Sequence, residues 1–219
     1  MLVDHFPLLG LRLRTPRLEL RLPSPEELGS LADLAAGGIH DPDVMPFSVP
    51  WTDQPPADVA RSVVQHHWRQ LGNWTPQDWS LDLTVFHEGV IVGQQTIGAR
   101  DLAITHEVHT GSWLGQRHQG RGIGTEMRAA VLHLAFAELD AAEAVSSAFE
   151  HNVASQAVSG RFGYQSDGIN RRVIRGTLAI ERRLRLTRSA WEQHRTIPVH
   201  VDGLAPCLPL LGMNPEDGE

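Results

Sequence analysis

Around position 120 the chain reads Gln119-Gly120-Arg121-Gly122-Ile123-Gly124-Thr125 and continues at once into Glu126–Leu134, whose apolar spacing is that of a helix. A flexible turn therefore runs straight into a helix N-terminus. Glycines at alternate positions remove the Cβ atoms that would hold a ligand away from the backbone, and the first N–H groups of a helix have no intrahelical partner. Together they make a site for an anion, with phosphate or pyrophosphate the best match.

Two better-known phosphate loops do not fit these residues. A nucleoside-triphosphatase loop requires Gly-Lys-Ser/Thr, and all 19 Lys+Arg residues are arginine, which excludes it. The dinucleotide fingerprint needs a third glycine three places after the second, where Thr125 stands. What remains is Gln-x-x-Gly-x-Gly, carried by Gln119, Gly122 and Gly124.

The flanks extend the pattern. Glu107 to Leu114 is short, rich in strand-favouring residues and bounded by Gly115, so it reads as a strand feeding the loop. Beyond the helix, Ala144–Phe149 reads as a second strand. Asn152–Tyr164 then reads as a second helix, with Asn152 as N-cap, an apolar stripe of Val153, Ala154, Ala157, Val158 and Phe162, and Gly163 to end it. The order is strand, glycine loop, helix, strand, helix. With Trp113-Leu114, Gly120–Glu126 and Asn152-x-x-Ser155-x-x-Val158 ahead of Gly163-Tyr164, it resembles the central motifs of the GNAT superfamily of acyl-CoA N-acyltransferases. Within it, the motifs resemble in particular the branch containing the ribosomal-protein N-terminal acetyltransferases. The opening Leu13-Arg14-Thr15-Pro16-Arg17-Leu18-Glu19-Leu20 belongs to the resemblance, which spans residues 11 to 186.

The resemblance implies an α/β (α+β) fold: a mixed, mostly antiparallel central sheet splayed between the strands flanking the loop helix, with helices on both faces. It implies acetyl-CoA as cosubstrate and direct attack by a primary amine in a ternary complex, the amine being a protein N-terminus, a small amine or an antibiotic. Trp113, Leu114, Gln119, Gly120, Arg121, Gly122, Ile123, Gly124 and Thr125 would meet the cofactor. A main-chain N–H near Leu114 would face the thioester oxygen, and Asn152 the pantetheine arm. A tyrosine often protonates the leaving thiolate in this superfamily, four positions before the glycine that ends the second helix. Here Ser159 holds that position and the only tyrosine, Tyr164, follows the glycine. The branch resemblance nominates Ser155 instead. As plain helix residues, Asn152 is a cap and Ser155 merely small, and both readings stand. The missing tyrosine also motivates a different class, a noncatalytic acyl-CoA-binding module.

For the base that deprotonates the amine, Glu107 and His109 share one strand face, and a histidine titrates near neutral pH. The competing reading leaves both facing solvent. Met45, Phe47 and Trp51 fall in the proline-rich stretch 41–56, which in the family lines the acceptor side; they are substrate contacts or core-plugging apolar residues. His106-x-x-His109 and His66-His67 lack a matched third ligand, so no metal is expected. With no lysine, a lysine Schiff base to pyridoxal phosphate is excluded.

At 219 residues with 41% apolar and 21% charged content, the chain suits one N-acetyltransferase domain over 1–219, with a core over 11–186 and a C-terminal extension over 187–219. An accessory or oligomer-forming role suits that extension, and a homodimer is the assembly it would serve. No stretch has the length of a membrane span, and Met1–Pro7 lacks the blocks of an export signal, so a cytoplasmic protein is expected. Cys207, alone, forms no intrachain disulfide and reads as packing or surface. The net charge of −7 disfavours nonspecific nucleic-acid binding and favours a cationic substrate. Arginines gather over 171–188, either as polar faces of a strand pair or near an anionic ligand.

Elsewhere, Arg12–Leu22 alternates arginine with leucine around Thr15-Pro16, an edge-tolerant strand. Ser24-Pro25-Glu26-Glu27 opens a helix as a capping box, and 58–71 resumes helix. Trp79–Val85 has a period of two and turns at His87-Glu88-Gly89 into Val90–Gly93. Residues 171–186 read as a strand pair or one long strand, 187–194 as a capped helix, 199–203 as extended, and 214–219 as frayed.

Overall fold

Leucines at 11, 13, 18, 20 and 22 are all buried in the computed structural model, which describes residues 1–213. After a short helix α1 (Leu2–His5), they lie on strands β1 (Arg12–Arg14) and β2 (Leu18–Arg21) and at their ends, with Thr15-Pro16 between. Helix α2 (Pro25–Ala36) starts on the expected capping box, Glu27 N–H donating to Ser24 Oγ at 3.2 Å and Ser24 N–H to the Glu27 carboxylate at 2.8 Å. Its Leu28, Leu31 and Ala35 pack on Val59 and Val63 of α3 (Pro56–Gly72). The prolines between the two helices permit only a 3₁₀ turn at Trp51–Asp53.

Strand β3 (Asp78–His87) turns through Glu88 and Gly89, with φ of 52° and 78°, into β4 (Val90–Arg100). β4 runs past Gly93 through polar Gln94, Gln95 and Thr96, which obscure it in the sequence. Gln95 satisfies part of its own polarity by donating to the Thr96 and Gly111 carbonyls at 3.1 and 2.8 Å. Helix α4 (Leu102–Thr105) leads to β5 (Glu107–Leu114), and the glycine loop to α5 (Ile123–His133), which ends in a π-turn over Leu134–Glu138. There follow β6 (Glu143–Phe149), α6 (Val153–Arg161), β7 (Gln165–Ile174), β8 (Thr177–Thr187), α7 (Arg188–His194), β9 (His200–Asp202) and a 3₁₀ segment Ala205–Leu211.

The strand order is β7-β8-β6-β5-β4-β3-β2-β1-β9, antiparallel throughout except for β5 and β6. That pair is joined only from Glu107–His109 to Glu143–Val145, and beyond it the two strands part. The sheet is thus mixed, mostly antiparallel and open beside the loop helix, as the motifs imply. α5 and the C-terminal segments build the larger core on one face, and α2 and α3 cover the other.

Three local expectations change. β1 is not an edge, because β9 pairs with it through Leu13 and Val201. The apolar stripe of α6 is not the buried one: Val153 is 72% exposed, while Ser159 and Phe162 are buried and Val158 half-buried. The strand pair begins at Gln165, and its arginines are largely ion-paired: Arg172 with Glu181, Arg182 with Glu150, and Arg185 with Glu107, Glu143 and Asp167. The tail at 214–219 lies outside the described residues.

Candidate active site

At the loop, Gly120 and Gly122 adopt φ of 72° and 78°, the left-handed region where a side chain is strained. Gly122 serves as the N-cap of α5 with no side-chain cap. Glu126 N–H donates to Gly122 C=O at 3.1 Å. Among the described residues, the amides of Gly120, Arg121, Gly122, Ile123, Gly124 and Thr125 meet no protein acceptor. Bare donors in series at the positive end of a helix dipole are what a diphosphate requires.

Neighbouring side chains hold that shape. Gln119 Nε2 donates to the carbonyls of Ile39 and Leu114 at 2.6 and 3.0 Å, so its amide fastens the loop to the end of β5 rather than pointing at a ligand. Glu126, 5% exposed, accepts from Thr15 Oγ1 at 2.7 Å, Arg17 N–H at 2.9 Å and Arg17 Nε at 2.7 Å. Burial would raise its pKa, but these donors outweigh that and hold it below the usual carboxylate value. Arg17 Nη1 also reaches the Arg121 carbonyl at 3.2 Å, and Arg161 Nη1 lies 3.3 Å from Thr125 Oγ1. Arg17 and Arg161, neither of them among the expected site residues, thus place positive charge at the loop rim. Glu126 carried the only sequence signal of this lock, as a carboxylate in the first turn of the helix.

The parting of β5 and β6 forms a fork. At its closed end Ser146 Oγ donates to the Thr110 carbonyl at 3.2 Å, just past the last strand pair, His109 with Val145. Thr110 C=O and Leu114 C=O both face away from β4, since Ser146 and Gln119 are their partners. α6 flanks the open end. A Cβ built on Gly124 would lie 3.7 Å from Val158 and 3.8 Å from Leu114. Ser155, one turn before Val158, shares that helix face. Asn152 Oδ1 accepts from Ser155 N–H at 3.1 Å, so Asn152 does act as the helix cap. Ser159 and Tyr164 hydroxyls are buried without partners among the described residues.

On the α2–α3 face, Glu107 and His109 do share one side of β5, yet their surroundings differ. Glu107 is bound by Arg185 at 2.6 Å. His109 rests its Cε1–Nε2 edge on Gly98, where a Cβ would come within 2.4 Å; the residue is exposed, yet partial desolvation of the ring lowers its pKa below the ordinary histidine value. In the same face Asp82 is 4% exposed and accepts from Thr96 Oγ1 at 2.6 Å. His66 Nε2 approaches the other Asp82 oxygen at 3.1 Å, and that carboxylate raises the His66 pKa. Phe47, Trp51 and Trp113 form an aromatic wall with ring centroids 5.3 and 6.2 Å apart. Met45 is instead buried against Phe149 and Ile174, the core-plugging reading. Among the described residues no group of His, Cys, Asp and Glu side chains has the arrangement to hold a metal. A cavity of about 890 Å³ opens beside the loop, between α2 and the β3–β4 turn and reaching Arg117, rather than over the bare amides.

A row of free amides opening a helix suits a diphosphate, and the strands that part beside it leave a gap in the sheet. The sequence profile of the "Acetyltransferase (GNAT) domain" matches residues 17–165, and the chain belongs to that family. It is an acyl-CoA-dependent acetyltransferase with acetyl-CoA as cosubstrate. Among solved structures it is similar to RimL, the ribosomal L7/L12 alpha-N-protein acetyltransferase in complex with coenzyme A: 17% identity, TM-score 0.60, covering 79% of this chain and 95% of that one. RimJ of Mycobacterium smegmatis with CoA-disulfide matches at 17% and 0.60, over 80% and 85%. A GCN5-related N-acetyltransferase from Brucella melitensis matches at 18% and 0.64, over 83% and 80%. At these identities the likeness is one of fold.

Proposed function

We propose that the enzyme transfers acetyl from acetyl-CoA to a primary amine, by direct attack in a ternary complex. Candidate acceptors are a protein N-terminus, a small amine and an antibiotic. The carrying observation is the run of partnerless amides from Gly120 to Thr125. They fix the diphosphate, and the fork between β5 and β6 takes the pantetheine arm. An amine is an ammonium at neutral pH and must shed a proton before its lone pair can attack. His109, neutral because its pKa is lowered, takes that proton, whereas Glu107 is committed to Arg185. The C–N bond forms, the C–S bond breaks, and Ser155 Oγ passes the second nitrogen proton to the leaving sulfur. Phe47, Trp51 and Trp113 border the acceptor's path.

Thiol release from acetyl-CoA against a panel of amines tests the reading, beginning with a peptide bearing a free N-terminus, the acceptor type that RimL's name carries. Amine-dependent thiol is expected, and an N-acetylated control peptide should release none. Calorimetric binding of CoA without amine-dependent thiol would reduce the protein to an acyl-CoA-binding module.

A further inference from the structure

Arg128 lies on α5, 3% exposed, and is the only buried arginine among the described residues. The buried acids Glu126, Asp82 and Glu181 each have a basic side chain within ion-pair distance, Arg17, His66 and Arg172 in turn. Arg128 has no carboxylate within that distance among the described residues. Its sole side-chain bond is Nη1 to Ser146 Oγ at a long 3.4 Å, and its Nε has no acceptor. Nε is thus a fully buried donor of a charged group left without an acceptor, which is costly. Such a group persists where something negative comes to it.

Its place in the fold says what that is. Ser146 bridges to the Thr110 carbonyl at the first position beyond the last β5–β6 pair, so the guanidinium lies beneath the closed end of the fork. The acceptor face is the opposite one, under α2 and α3. We propose that Arg128 is a catalytic residue whose guanidinium binds the negative charge developing on the thioester. The inference rests on the acetyl-transfer reading above. Attack by the amine pushes the carbonyl π pair onto oxygen; collapse of that intermediate restores C=O and expels sulfur with the C–S pair. One amine proton goes to His109 and then to water, and the other reaches sulfur through Ser155. Arg128 keeps its own protons throughout and supplies only hydrogen bonds and charge, in a water-poor site where both count most.

Arg128→Met, of similar reach and without charge, tests this. Turnover should fall about 10²–10³-fold. The thiol of bound CoA, followed by its ultraviolet thiolate absorbance against pH, should titrate lower than free CoA in the wild type and lose that depression in the variant. The apo variant should melt at the same temperature or higher, because an apolar replacement removes an unpaired buried charge. An unchanged thiol titration, retained turnover, or a marked loss of apo stability would overturn the assignment. If the wild type binds CoA but acetylates no amine, the transfer reading falls by itself, and the thiol titration still decides whether Arg128 faces the sulfur.

Discussion

At the scale of single residues, Gly122 combines a φ of 78° with a Cβ position 3.4 Å from Arg17 Nη2. Valine there meets the left-handed penalty of about 1–2 kcal/mol and turns a side chain toward the ligand. Gly122→Val should weaken CoA binding by about tenfold or more in calorimetry, while amine KM at saturating acetyl-CoA moves little. Ser155 predicts a different signature. Its N–H is engaged by Asn152, but its hydroxyl makes no bond among the described residues, so Ser155→Ala should leave folding and CoA affinity intact and lower turnover. Full turnover across pH in that variant would show the proton donor to be another group. His109 supplies a pH test. With its pKa lowered by partial desolvation, the imidazole is neutral at pH 7, and kcat/KM should fall only as pH drops below about 6.5. His109→Gln should remove that acid limb and cost about 10²–10⁴-fold in turnover; a persisting limb would place the base elsewhere.

Among the elements, the N-terminus of α5 is fixed from outside by the β1–β2 turn, through Thr15 and Arg17 on Glu126. Glu126→Gln keeps an acceptor but loses the charge. Arg17 is 45% exposed, so solvent screening limits the loss to about 1–2 kcal/mol in denaturant unfolding, with weaker CoA binding alongside. Because the native pKa of Glu126 is depressed, this stabilisation is present above the unfolded value near 4.5 and disappears as pH falls through the native pKa. The difference in stability between wild type and variant should therefore shrink in acid. The glycine loop, β5 and the α2 capping box were legible because each is a local pattern of spacing and cap chemistry. What meets Glu126 was not legible, since Arg17 stands far away in the chain and spacing cannot say which distant residues meet. The α6 stripe misled for a related reason. Its apolar spacing was real, but α6 turns Ser159, Val158 and the capping Phe162 inward, leaving Val153 in solvent. Likewise Gln94, Gln95 and Thr96 read as a strand's end, whereas the strand runs on through them and the sheet buries Gln94 and Gln95.

For the molecule as a whole, the stretch after Thr187 is part of the main core. Trp191, 3% exposed, stacks on Phe136 with ring centroids 5.1 Å apart. Trp74 and Trp79 donate to the Leu210 and Leu211 carbonyls at 2.7 and 3.2 Å, and β9 closes the sheet beside β1. The sequence marked this segment as additional but gave no sign that it fills the same core as α5, because its apolar residues are spread over a helix, a strand and a 3₁₀ turn. Trp191→Ala should cost about 3–5 kcal/mol in denaturant unfolding, the range for emptying a buried aromatic site. The lone cysteine offers a direct readout of the same packing. Cys207 is fully buried, its Sγ lies 3.1 Å from the Gly203 carbonyl, and burial pushes its thiol up to about 11. Alkylation must then wait for the segment to open, since the thiolate is the reactive form. Native protein should label slowly, and Trp191→Ala should speed labelling in proportion to the stability it removes. If acetyl-CoA binds the loop at the N-terminal end of α5 as proposed, saturating cosubstrate should slow labelling only where the segment opens together with the loop. Rapid labelling of the wild type would show that the C-terminal segment is loosely held rather than built into the core.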